Sequence, residues 1–165
     1  MTKLEGLWRK LHHMRVTCNL EGVSQNYLTM KVKGNGQGKV LSQDELKRLF
    51  TEGFSSARDR ALFGICLFTG CRVSEALALQ TTDLIGGMLI FRKSTTKGKL
   101  KTRVVDIQPG LAQLLEAHQP SPGFLFPGGR PGAALTRFMT DKLLKRACNR
   151  TELVDWVSWS QHPQL

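Results

Sequence analysis

Apolar side chains recur at helical spacing over two long stretches of this chain, and a strand-type stretch separates them. The first helical signal is a capping box, Ser42-Gln43-Asp44-Glu45. There the serine side chain accepts from the backbone three residues on, and the glutamate reaches back. A helix should follow through Leu46, Leu49 and Phe50 and end near Gly53. Arg58 to Phe68 holds an almost uninterrupted apolar run, Ala61 to Phe68, whose length predicts a buried helix rather than a strand. Gly70 should break that helix, with Arg72 emerging just before a second one on which Val73, Ala76 and Leu77 recur at helical spacing. The period then changes. Met88–Phe91 and Val104–Ile107 read as two strands around a polar, lysine-rich turn, and Gly86-Gly87 forms the turn into the first. Pro109 starts another helix, with Leu111, Leu114, Leu115 and His118 on one face, which makes His118 a partly buried packing residue. A proline- and glycine-rich loop from Gln119 to Gly132 is expected to be anchored by Phe124–Pro127. The last helix is predicted from Leu135 to Arg150, with Phe138, Met139, Leu143 and Ala147 facing inward.

The first 39 residues are less regular. Leu4–Met14 is compatible with a short helix, and Leu28–Lys33 alternates like a strand. Gly34–Lys39 superficially resembles a phosphate loop. Its glycine spacing is wrong, however, and Val40 follows the lysine where a magnesium-holding Ser or Thr would stand. It is read as a flexible basic linker.

Charge narrows the partner. With 165 residues the chain supports one domain with a real core. A net charge of +11 and a pI near 10.0 point to a polyanion. No basic amphipathic helix dominates, no apolar run is long enough to span a bilayer, and Trp8, Arg9, His12 and His13 interrupt any signal-peptide pattern. The partner is therefore nucleic acid and not a membrane, and charge alone does not say which kind. Cys18, Cys66, Cys71 and Cys148 show no C-x-x-C spacing, and no histidine stands at metal-ligand spacing to them. Neither a metal nor a cofactor is expected, and reduced thiols fit a cytoplasmic protein.

The densest motif is Thr69-Gly70-Cys71-Arg72-Val73-Ser74-Glu75, followed by Leu79 and Asp83. An arginine fixed at a helix break suits phosphate, because the planar guanidinium matches phosphate oxygens. The pattern T-G-x-R-x-S-E-x-x-x-L-x-x-x-D resembles the first arginine box of the tyrosine recombinases, the phage-integrase family. The resemblance extends over residues 40 to about 150, because a β-hairpin bearing lysines and a Leu125-Phe126-Pro127 stretch follow at corresponding places. It implies an α+β fold, mostly helical with a small antiparallel sheet, and DNA strand exchange through a covalent phosphotyrosine, without metal or ATP. Within that scheme Arg72 would stabilise charge on the scissile phosphate. Lys97 would be the general acid towards the departing 5′-oxygen, with Lys99 as the alternative because this hairpin holds an extra residue. Glu75 and Asp83 would orient or cap. Lys99, Lys101, Arg103, Arg137, Lys142, Lys145 and Arg146 are candidate contacts to double-stranded DNA, and other recombinase protomers are further candidate partners.

The family continues with His-x-x-Arg, a His or Trp, and a nucleophilic tyrosine. Here the single tyrosine is Tyr27, ahead of Arg72, and the residue at the second arginine's place is Leu165. The expected layout is an N-terminal extension (1–39), a partial catalytic domain (40–150) and an atypical tail (151–165), truncated and inert alone. Read one base later, one choice of codons for Trp159–Leu165 gives Gly-Leu-Asn-Thr-His-Ser, similar to the family's lead-in to His-x-x-Arg, which suggests a frameshift. Such a truncation should leave apolar faces of the hairpin and of the Ala61–Phe68 helix uncovered. Two other functions stay open. One is a basic module that occupies DNA or blocks an intact recombinase; the other is an RNA-binding protein of ribosomal type.

Overall fold

In the computed structural model, residues 29–31, 38–92 and 102–153 are described. Strands β1 (Thr29–Lys31) and β2 (Gly38–Val40) pair antiparallel, Thr29 opposite Val40. Gly38 and Lys39, expected in a linker, are therefore part of a strand. Helix α1 (Gln43–Arg48) starts at the predicted box: Ser42 Oγ accepts from the Glu45 N–H at 3.2 Å, and Glu45 Oε2 accepts from the Ser42 N–H at 2.9 Å. Its last turn widens into a π-helical turn, Leu49–Gly53, closed by the Phe54 N–H on the Leu49 carbonyl at 3.1 Å.

Helix α2 (Ala57–Thr69) is the centre of the molecule. Ala61 through Leu67 are all buried, as expected for a helix that is apolar on every side. Phe63 stacks on Phe54 at 4.7 Å, and Phe54 meets Phe50 edge-on at 5.3 Å, joining α2 to the α1 segment. Each such buried side chain contributes roughly 1.5–3 kcal/mol. Ala61–Leu67 of this helix are thus buried and Phe68 half-buried, contrary to the expectation that the helix would be bare. Its far side packs on α4 (Pro109–His118), where Gly64 lets Leu114 approach.

After the short α3 (Val73–Leu77) and a 3-10 turn, Thr81–Asp83, comes a three-stranded antiparallel sheet. Its strands are β3 (Leu84–Ile85), β4 (Met88–Phe91) and β5 (Arg103–Asp106). The sequence reading lacked β3, a two-residue strand too short to show a period. Gly86 and Gly87 (φ 57° and 76°) form the tight turn between β3 and β4, a conformation that requires positive φ twice. Leu89 and Phe91 face the core, while Ile85, Met88 and Val104 face outward and are exposed.

The loop after α4 is tied down as predicted. Leu125 and Phe126 are fully buried, the Leu125 N–H donates to the Leu79 carbonyl at 2.8 Å, and His118 stacks on Phe126 with Nε2 2.7 Å from the Leu125 carbonyl. Helix α5 (Arg137–Arg150) starts at Thr136, whose Oγ1 accepts from the Met139 N–H at 3.3 Å. Its inward face needs correction. Thr140, Leu144, Ala147 and Cys148 are buried, Leu143 is half-buried, and Phe138 and Met139 point to solvent at 66% and 38% exposure. Counting from Ala147, the buried positions recur at steps of three and four, a register that excludes Phe138. The architecture is the mostly helical α+β arrangement with a small antiparallel sheet that the sequence implied.

Candidate nucleic-acid interface

The site is built on the break between α2 and α3. Gly70 closes α2 in the left-handed region (φ 64°), its N–H on the Cys66 carbonyl at 3.0 Å, a conformation that disfavours any residue with a Cβ. Arg72 follows in an extended conformation (φ −73°, ψ 149°) as the N-cap of α3, and its side chain is 45% exposed. Glu75, one turn into α3, is buried. Its Oε2 accepts from the Arg72 N–H at 3.0 Å and its Oε1 lies 3.6 Å from Arg72 Nη1. The carboxylate therefore caps the helix and fixes the backbone from which the arginine projects, the positioning role expected of it.

Asp83 repeats the device one turn later: its Oδ2 accepts from the Gln80 N–H at 2.8 Å and caps the 3-10 turn. Both buried acids also face the hairpin. Arg92, just after β4, sets Nη2 3.0 Å from Asp83 Oδ2 and 3.1 Å from the Ala78 carbonyl. Arg103, the first residue of β5, sets Nη2 3.8 Å from Glu75 Oε2, donates from Nη1 to the Thr69 carbonyl at 3.4 Å, and lies 4.5 Å over the Phe91 ring. Phe91 and Arg103 pair across the sheet, so the strands leave for and return from their turn next to the arginine box. Among the described residues, the guanidiniums of Arg72, Arg92 and Arg103 gather around the carboxylates of Glu75 and Asp83. Sequence reasoning missed Arg92; the available signal was a single cation between the apolar β4 and a polar turn. Lys97, Lys99 and Lys101 lie outside the described residues.

The thiols at the junction serve packing. Cys66 and Cys71 are both buried, and the hydrogen bond between their side chains holds the Cys71 thiol below its ordinary value and pushes that of Cys66 well above. Among the described residues no group of three His, Cys, Asp or Glu side chains is arranged to hold a metal, and no helix is long and apolar enough to cross a membrane.

Arg137, Lys142, Lys145 and Arg146 are all exposed on α5, and the Lys142 ammonium lies 4.4 Å over the Phe138 ring. Arg150, at the end of the same helix, donates instead from Nε to the Gly53 carbonyl at 2.6 Å. Together with Arg48 on the Thr151 carbonyl at 2.8 Å, it fastens α5 to the end of the α1 segment.

In fold the chain is similar to the catalytic domain of tyrosine recombinases. The crystal structure of XerA recombinase superposes with a TM-score of 0.58 at 21% identity, over 72% of this chain and 45% of that one. XerH site-specific recombinase, solved bound to its difH substrate in a pre-cleavage complex, gives 0.51 at 29% identity, over 68% of this chain and 36% of that one. A Sinorhizobium fredii protein that bears an integrase/recombinase name, y4eF, is 29% identical over 127 residues, 74% of this chain and 49% of its own. The sequence profile of the phage integrase family matches residues 39–163, and the chain belongs to that family. The match takes in most of the tail read above as atypical. The chain spans about half or less of the length of these relatives.

Proposed function

We propose that this chain is the DNA-phosphate-gripping part of a site-specific recombinase, acting on double-stranded DNA. The observation that carries the reading is Arg72: an exposed guanidinium on a helix break, with its backbone held by a buried carboxylate. Such a group is pre-organised to meet a phosphate, and in strand exchange it stabilises the charge that builds on the phosphate as the ester is attacked. Lys97, or Lys99 in its place, is the general acid to the leaving 5′-oxygen; the hairpin that carries both is anchored at its base to the arginine box through Arg103 and Arg92. Lys99, Lys101, Arg137, Lys142, Lys145 and Arg146 contribute backbone contacts to the duplex. Other recombinase protomers are natural partners, and a DNA substrate suits a cytoplasmic location.

The sole tyrosine, Tyr27, precedes the site, so these 165 residues bind DNA without breaking it. That is also the content of the second reading, a module that occupies DNA or blocks an intact recombinase. Titrating the 165-residue chain against a duplex at several salt concentrations tests the proposal. Affinity should fall steeply with salt, and Arg72→Ala should weaken it and reduce the log–log slope by about one. A nicked substrate that traps covalent intermediates should yield no adduct. Binding that ignores salt, or prefers structured RNA to duplex, would refute the assignment.

A further inference from the structure

Two thiols meet beneath the arginine box, and strand exchange at Arg72 makes no use of them. Gly70, in the left-handed region, ends α2 with its N–H on the Cys66 carbonyl at 3.0 Å. A helix end of that kind folds the residue after the glycine back onto the last turn. Here the two positions brought together are Cys71 and Cys66, and their side chains are hydrogen-bonded to each other. The Cys71 backbone is held there as well, with its N–H on Thr69 Oγ1 at 3.3 Å. Both cysteines are buried, yet their cover is thin, because Gly70 and Arg72 on either side of Cys71 are exposed.

We propose that Cys66 and Cys71 form a dithiol modified by hydrogen peroxide, and that its oxidation to a disulfide withdraws Arg72 from phosphate. The Cys71 thiolate attacks one peroxide oxygen, which leaves a sulfenic acid on Cys71 and releases hydroxide. The Cys66 sulfur then attacks the Cys71 sulfur, and the sulfenic hydroxyl departs with the Cys66 proton as water. Each sulfur gives up one electron, and the peroxide ends as two molecules of water. The order of attack follows from the pair. The hydrogen bond from Cys66 holds the Cys71 thiol below its ordinary value against the opposing effect of burial, with Arg103 assisting and Glu75 opposing, whereas Cys66 is pushed well above and keeps its proton. Bonded sulfurs stand far closer than hydrogen-bonded ones, so the disulfide draws Cys71 towards α2. Arg72 is the next residue, and its N–H is drawn off the Glu75 carboxylate that it meets at 3.0 Å. This inference rests on the phosphate-gripping reading of Arg72 and goes beyond it by naming a modification that governs it.

The test treats the folded 165-residue chain with hydrogen peroxide and follows its mass, its peptide map and its affinity for duplex. The parent should lose two hydrogen atoms and show a Cys66–Cys71 cross-link in the map. Its duplex affinity should fall about tenfold and its log–log salt slope by about one, and dithiothreitol should restore both. Cys66→Ala should stop at a sulfenic acid on Cys71, trapped by dimedone, and Cys71→Ala should bind duplex equally with and without peroxide. If either variant fails to fold, the parent and its reversal by dithiothreitol decide alone. If the reduced parent binds no duplex, the phosphate-gripping reading falls, while the cross-link in the map still decides the dithiol. Absence of a Cys66–Cys71 cross-link, or a cross-link that leaves duplex affinity unchanged, overturns the inference.

Discussion

Removing the Asp83 carboxylate should unfasten the hairpin from the arginine box, and its cost can be worked from the geometry. Asp83 is 6% exposed, caps Gln80 through a 2.8 Å hydrogen bond, and pairs with Arg92 at 3.0 Å. Loss of a cap costs about 1 kcal/mol. A charge-assisted hydrogen bond adds about 1.5–3 kcal/mol, with the lower end appropriate here because the Arg92 side chain is 40% exposed and solvent screens it. Asp83→Ala should therefore lose about 2–4 kcal/mol. For a domain of this size that lowers the unfolding midpoint by roughly 5–15 °C. Asp83→Asn keeps one acceptor and should lose about half as much. Circular dichroism melts and urea titrations of the parent, Asp83→Ala, Arg92→Met and the double variant read the coupling directly. A coupling of about 1 kcal/mol between positions 83 and 92 is expected. If Asp83→Ala unfolds within about 0.5 kcal/mol of the parent, the scale of an ordinary surface substitution, the carboxylate does not hold the hairpin and the reasoning fails.

Three further outcomes are expected. Gly70→Ala should cost about 1–2 kcal/mol, because φ is 64° there, and should also weaken duplex binding by displacing Arg72; stability and titration together check it. Phe138→Ser should leave the melting temperature nearly unchanged, whereas Leu144→Ala should cost about 2–5 kcal/mol, which tests the corrected register of α5. Burial raises the Cys148 thiol to about 11 from an ordinary value of 9.0. The folded state then keeps a proton that the unfolded chain releases, so stability from this group falls as pH rises from about 9 to 11, by up to about 3 kcal/mol. Urea midpoints across that range should fall more steeply for the parent than for Cys148→Ala; parallel curves would contradict the assignment.

Local signals carried most of the fold. The capping box at Ser42, the apolar run of α2, the Gly70 break, the proline start of α4 and the His118 packing role are all written in a few neighbouring residues, because capping and periodicity act over one or two turns. The family, too, was legible in the arginine box. Where the reading went astray, the deciding contacts are long-range. Phe138 and Met139 look inward by hydropathy alone, yet the face of α5 is chosen by what α3 and the π-helical turn offer it. Arg92 and Arg103 look like surface cations until the sheet folds and brings them 3.0 Å and 3.8 Å from two carboxylates whose capping roles the sequence had already suggested. The sequence by itself determined where the helices start and stop and which arginine stands at the break. Only tertiary structure decided what the arginine box is fastened to. An ion pair between positions 28 residues apart, Glu75 and Arg103, leaves no periodic trace in the chain, and it exists only once α2, α3 and the hairpin share one core.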